Sequence, residues 1–250
     1  MSEPRYPAPS IPRDPNAASS RMADFRELSP LLRGKGETDW PLAPLYHVNE
    51  RCLTLLSEAA RQEAHCASPL VIALRRPLLG MTPEWRTRAS RRALLILDMA
   101  FRDHPWWVGA RTQPRRTIRT LLEPDLFPAA SARHLARATL VLAWHSVRAD
   151  RTAAGVLLGI SSPVTEIIAG LTLEELDWIA ERRFRALRPR WEDRPALWRK
   201  LLLSAESSDF RKERESNLLA LKLLAGELLA SEAASVRLPK EGDSRARPSG

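Results

Sequence analysis

ADRTAAGVLLGISSPVTEIIAGLTLEELDWIAERRFRALRPRWEDRPALWRKLL, residues 149–202, holds three helix starts and two helix stops in succession. Asp150 supplies a carboxylate for the unpaired amides of a first helical turn, and that helix is expected to stop at Gly159. Ser162, with Pro163 at the first helical position, opens a second helix that ends at Gly170. Thr172 followed by Glu175 forms a capping box for a third. No nucleophile, metal cluster or phosphate loop lies in the stretch. Its grammar is that of a helical binding module that runs on into a segment rich in arginine and tryptophan.

Working outward, helical spacing recurs and period-two alternation is nearly absent, so the fold class is all-α, a multi-helix orthogonal bundle. A helix from about residue 131 to 148 sets Leu135, Ala138, Leu142 and His145 along one stripe, widened by Leu140, Val141 and Trp144. Asp193 reads as the cap of a helix holding Leu197, Leu201 and Leu202. From about 209 to 231, Leu218, Leu221, Ala225, Leu228 and Leu229 fall at helical spacing, a stripe broad enough to want a partner. Upstream, Asn49 reads as the cap of a helix to about Ala64, with Cys52, Leu55, Leu56, Ala59 and Ala60 on its inner face. Residues 69–75 form a short apolar run against Pro77. Thr82 and Pro83 are expected to open a longer helix reaching Phe101, apolar nearly all round between Ala93 and Ala100 and therefore central to the core. His104-Pro105-Trp106-Trp107 ends this first half.

The spacing of these elements divides the chain into a proline-rich disordered arm (1–44), a helical region (45–127), a helical module (128–232) and a polar, disordered C-terminal tail (233–250). Within the arm, Phe25, Leu28, Leu31 and Leu32 have the spacing of one or two docked helical turns. The 250 residues are 44% hydrophobic and 28% charged, ample for a core without disulfides. Two cysteines, Cys52 and Cys66, point to a reducing compartment. No apolar run reaches the roughly 18 residues of a membrane span, and no leader layout opens the sequence, so a cytoplasmic protein without a membrane role is expected. The net charge of +9 favours nucleic acid or acidic partners through counterion release, although GC-rich coding accounts for the arginine content equally well.

From Ala153 to Glu181 the order of elements resembles the flagellar transcriptional activator FlhD and its relatives. The resemblance lies in Leu158, Gly159 and Ile160 closing an alanine-containing helix, then Ala169, Leu171, Thr172 and Leu173 turning into a third helix that holds Ala180 and Glu181. It extends over roughly 135–203. It implies an all-α, dimer-forming transcription regulator that works with a second subunit and shares DNA contact with it. The helical region before residue 128 and the lack of zinc-type cysteines depart from that picture, leaving the target operon open.

The candidate DNA-binding residues are Arg182, Arg183, Arg185, Arg188, Arg190, Arg194, Arg199 and Lys200, set against only Glu192 and Asp193 in the same run. Guanidinium forks suit both phosphates and guanine edges, and a solvated surface explains the run as well. Trp191 and Trp198 are expected to pack a core. Reading Arg151 to Glu181 as a helix-turn-helix leaves Ser161, Ser162, Thr165 and Glu166 to meet bases, a thin set containing an acid. Two further basic groups, Arg86 to Arg92 and Arg111 to Arg119, fit either a phosphate backbone or an ordinary surface. Leu171, Leu173, Leu176 and Ile179, with Leu218, Leu221 and Leu228, are the candidate partner-binding residues.

Enzyme readings fail one by one, so no catalytic residue, metal or cofactor is assigned. His47, His65, His104, His134 and His145 are scattered over different elements. His145 is expected to be a core residue, and Cys66 beside His65 lacks a nucleophile's context. Arg33-Gly34-Lys35-Gly36 has no preceding strand and is no phosphate loop. The expected function is a regulator that binds DNA as a dimer or with a partner subunit to activate a bacterial operon. The alternative is a helical adaptor that binds only protein.

Overall fold

The computed structural model describes residues 42–62, 68–112, 126–207 and 209–237; side chains at 112 and 234–237 lie outside that description. The expectations for residues 1–41, for His65 and Cys66, for Arg115 to Arg119 and for the tail beyond 237 therefore fall outside it. In chain order the helices are α1 (Ala43–Arg61), α2 (Pro69–Ala73), α3 (Arg75–Leu79), α4 (Pro83–Ser90), α5 (His104–Thr112), α6 (Ala129–Ala149), α7 (Arg151–Leu158), α8 (Ser162–Ala169), α9 (Leu173–Arg183), α10 (Pro195–Glu206) and α11 (Phe210–Arg237). Two short extended pieces, β1 (Leu97–Asp98) and β2 (Arg188–Pro189), pair antiparallel with Leu97 opposite Pro189. No single helix among the described residues is long and apolar enough to cross a membrane.

The capped stretch folds as its signals dictate. Asp150 Oδ1 accepts from the Ala153 amide at 2.9 Å, and Gly159 ends α7 at φ +66°, a left-handed value that glycine reaches without steric cost. The cap of α8 is Ser161, one residue earlier than expected, and its amide donates to the Phe101 carbonyl at 3.0 Å. At α9 the capping box is complete: the Glu175 amide donates to Thr172 Oγ1 at 3.2 Å, and the Thr172 amide to Glu175 Oε2 at 2.7 Å. Helix α6 packs against α1, α7, α8 and α9, burying Leu135, Ala136, Thr139, Leu140, Ala143 and Val147. His145, expected on the inner stripe, is exposed instead, because the buried stripe runs one position away through Ala143 and Val147.

The largest departure from expectation is at residues 91–101. Helix α4 stops at Ser90, and the chain continues as a bent, non-helical segment that is strand only at Leu97–Asp98, with Ala93 to Leu97, Met99 and Phe101 all buried. A short apolar run has the same composition whether it is a buried helix or a buried strand, and here distant polar groups decide. Asn49, expected as a helix cap, lies inside α1 with its amide turned inward. Its Nδ2 donates to the Ser90 and Leu94 carbonyls (3.1 and 3.0 Å), and its Oδ1 accepts from the Ile96 amide (3.1 Å). The Leu95 amide donates to the Leu157 carbonyl (2.8 Å) and the Arg190 amide to that of Ile96 (2.8 Å). The backbone groups of this segment thus find partners on α1, on α7 and beside β2, which satisfies them without a helix.

Arg92, unlike its exposed neighbour Arg91, is buried at the edge of that run. Its guanidinium donates to Ser216 Oγ (2.8 Å), Asn217 Oδ1 (2.8 Å), Ser204 Oγ (3.1 Å) and the carbonyls of Ala89 and Leu201. Burial pulls its pKa down to about 10, while Glu213 works in the opposite direction. Trp85 adds a further tie, its indole Nε1 donating to the Leu202 carbonyl at 2.8 Å. The two helical regions accordingly share one contiguous core, which takes in Leu53, Leu94 and Phe101 together with Leu140, Ile168 and Leu201.

Candidate nucleic-acid and partner surfaces

The basic run 182–200 is divided by the fold. Arg190 is 1% exposed, and its guanidinium donates to the carbonyls of Leu158 (2.8 Å), Leu97 (3.1 Å) and Leu95 (3.2 Å), with Asp98 Oδ1 3.5 Å away. Burial lowers its pKa, and the Asp98 carboxylate opposes that shift. The Trp198 indole donates to the Arg190 carbonyl at 2.7 Å. Arg183 is buried too. These two guanidiniums, expected on a DNA-facing surface, belong to the interior. The short β1–β2 pairing draws Arg190 inward, because Pro189 and Trp191 are themselves buried on either side of it.

The other six stay at or near the surface. Arg188 is half-buried, 4.0 Å from Glu192. Arg182 and Arg185 are exposed at the end of α9, and Arg185 lies over the Phe184 ring. Arg194, Arg199 and Lys200 are exposed at the start of α10 and along it. The Asp193 carboxylate, expected to cap α10, makes no cap bond; Arg194 holds the cap position. Trp191, whose φ is +55°, turns its indole to donate to Glu227 Oε1 at 2.8 Å, and Arg102 meets the other Glu227 oxygen at 2.9 Å.

Among the expected partner-binding residues, Leu171, Leu176 and Ile179 are sealed in the core and offer nothing to a second protein, because the inner stripe of α9 packs on α6. Leu173 is 55% exposed, Leu218 39% and Leu229 52%, while Leu221 and Leu228 are half-buried. Helix α11 turns Ser216, Ala220 and Leu224 inward, leaving the Leu218–Leu229 side facing out. On α9, Glu174, Asp177, Trp178, Glu181 and Arg182 with Arg133 of α6 line a shallow cleft of about 630 Å³. Two of its three carboxylates meet arginines: Arg137 Nε donates to Asp177 Oδ1 at 2.6 Å, and Arg133 Nε lies 3.4 Å from Glu181.

Helices α7 and α8 meet at 116°, within the range of helix-turn-helix pairs. Helix α8 nevertheless exposes little more than Ser162 and Glu166, and Glu166 accepts from Arg151 at 2.8 Å. A recognition helix so poor in free donors cannot read base edges. Among the described residues no three His, Cys, Asp or Glu side chains are grouped to hold a metal.

The sequence reading missed Asn49 and Arg92 as anchors. Arg92 had a visible signal, the cation that directly abuts an apolar run, where a buried charge needs satisfied donors. Asn49 had none, since an asparagine at that spacing caps a helix as readily as it bridges strands.

Comparison with known proteins adds one match. Residues 128–229 match the family model of the flagellar transcriptional activator (FlhD), from the start of α6 through most of α11. The match is longer than the resemblance seen in the sequence, and the region before residue 128 lies outside it. That family is one of transcriptional activators, not of enzymes. No curated protein and no solved structure matches the chain.

Proposed function

We propose that this protein is a cytoplasmic transcriptional regulator that binds duplex DNA through exposed cations of the 182–200 run and acts as a dimer or with a partner subunit. The observation that carries the reading is the FlhD family match over the stretch that holds those cations. The cations of the run that remain exposed, Arg182, Arg185, Arg194, Arg199 and Lys200, with half-buried Arg188, are the candidates from which the phosphate contacts would be drawn. The outward side of α11, with Leu218 and Leu229 exposed and half-buried Leu221 and Leu228 at its margin, is where a second protein would bury apolar area.

That same leucine face favours a second reading, an adaptor that touches only protein. Light scattering coupled to gel filtration, together with fluorescence anisotropy on a promoter-length duplex across a salt series, separates the two. The regulator reading expects a dimer or partner complex, and affinity falling steeply with salt. Assembly with no salt-dependent duplex binding overturns it in favour of the adaptor.

A further inference from the structure

We propose that the phosphate-contacting surface is the outer face of α10 joined to the corner between α2 and α3, so that cations from outside the family-matching segment share the site. The inference rests on the DNA-binding reading above and assigns its location. Helix α10 buries Leu197, Trp198, Leu201, Leu202 and Ala205, which leaves Ala196, Arg199, Lys200 and Leu203 on one exposed face at spacings of three and four. Arg199 Nη2 donates to the carbonyl of Ala73, the last residue of α2, at 3.1 Å. That bond sets the cations of α10 beside Arg75 and Arg76, both exposed, at the start of α3.

Cations outnumber carboxylates along the two elements that meet at this corner. Residues 68–80 and 194–205 hold Arg75, Arg76, Arg194, Arg199 and Lys200 and no Asp or Glu, with the nearest flanking acids Asp193, 3.8 Å from Arg194, and Glu206 at the far end of α10. The competing exposed cations, Arg182 and Arg185, sit at the end of α9, and Arg182 shares its cleft with Glu174, Asp177 and Glu181. A phosphate approaching that cleft meets carboxylates, whereas one approaching α10 meets donors from two elements more than a hundred residues apart in sequence. The exposed apolar side chains here, Ile72, Leu79 and Leu203, come from three different helices and make no helix-long apolar stripe of the kind that a lipid surface takes up. The geometry therefore favours a nucleic-acid backbone over a membrane.

The test uses the full chain and a fluorescein-labelled random-sequence duplex of about three helical turns, read by anisotropy over a salt series, beside vesicles containing phosphatidylserine. Arg76→Ala is expected to lower the slope of log K against log salt by about 1, and the pair Arg199→Ala with Lys200→Ala by about 2. Arg182→Ala with Arg185→Ala is expected to leave the slope unchanged. Circular dichroism melts confirm that each variant is folded, and Arg76→Glu serves as a stronger probe on the same surface. If only the Arg182 and Arg185 pair flattens the slope, this assignment is overturned while the DNA-binding reading stands. A wild-type chain that ignores the duplex overturns that reading, and vesicle binding sensitive to Arg76→Ala then assigns the corner to lipid instead.

Discussion

Residues 188–191 and residues 194–200 are neighbours in one basic run, yet they are used in opposite ways. In the first stretch a guanidinium is taken out of water and bonded to three carbonyls and a carboxylate. In the second, the cations stand on the outer face of a helix whose other side is sealed. A buried charge can be kept only by a fixed set of acceptors, so the first stretch is rigid by necessity and intolerant of change. The second keeps its hydration and is free to exchange water for another anion. Arginine content alone therefore says little about where a nucleic acid is met; the count of acceptors around each guanidinium says more.

The contrast can be broken most forcefully at Arg190. Arg190→Ala is expected to cost roughly 3 to 5 kcal/mol, because the Leu95, Leu97 and Leu158 carbonyls lose their donor in the interior. Urea unfolding measures it, and a loss below about 1 kcal/mol would place the residue among the surface cations after all. Gly159→Ala should come next. Its new methyl would sit 2.5 Å from Arg190 Nη1 and 2.6 Å from Leu224 Cδ1 at a φ of +66°, so a cost of about 2 kcal/mol or more is expected in the same titration. Thr172→Ala, which removes half of the capping box, is expected to cost about 1 kcal/mol and to lower the thermal midpoint by a few degrees. Smallest of all, Arg199→Ala combined with Lys200→Ala should leave stability within about 0.5 kcal/mol while weakening anion binding. A large loss of stability from that pair would erase the distinction between the two stretches.

The legible parts of this chain are the ones whose cause is local. Asp150, Gly159, Thr172 and Glu175 act on amides within four residues of themselves, so α7, α8 and α9 could be placed from the letters to within a residue. Residues 91–101 read as helix in the sequence and are not, because the partners that satisfy their backbone come from Asn49, Leu157 and Arg190, none of which is near in sequence. The same limit applies to the candidate surfaces. Periodicity named α9 and α11 as apolar faces correctly, but only packing shows that α9 spends Leu171, Leu176 and Ile179 on α6 while α11 leaves Leu218 and Leu229 outward. Arg75 and Arg76 drew no attention in the sequence, since the Arg199 bond to Ala73 that brings them beside α10 joins positions 126 residues apart.

The 91–101 segment also limits how far the 128–229 stretch can be treated as a cassette. Three of the groups around the Arg190 guanidinium, Leu95, Leu97 and Asp98, are donated from upstream, as is the Phe101 carbonyl that receives the Ser161 amide. A protein cut free at residue 127 would keep every helix start described above and still lose the plug that closes its centre. Grafting that stretch alone onto another chain is expected to yield a soft, aggregation-prone globule, and a transplant would have to bring residues 91–101 together with α1, whose Asn49 holds them.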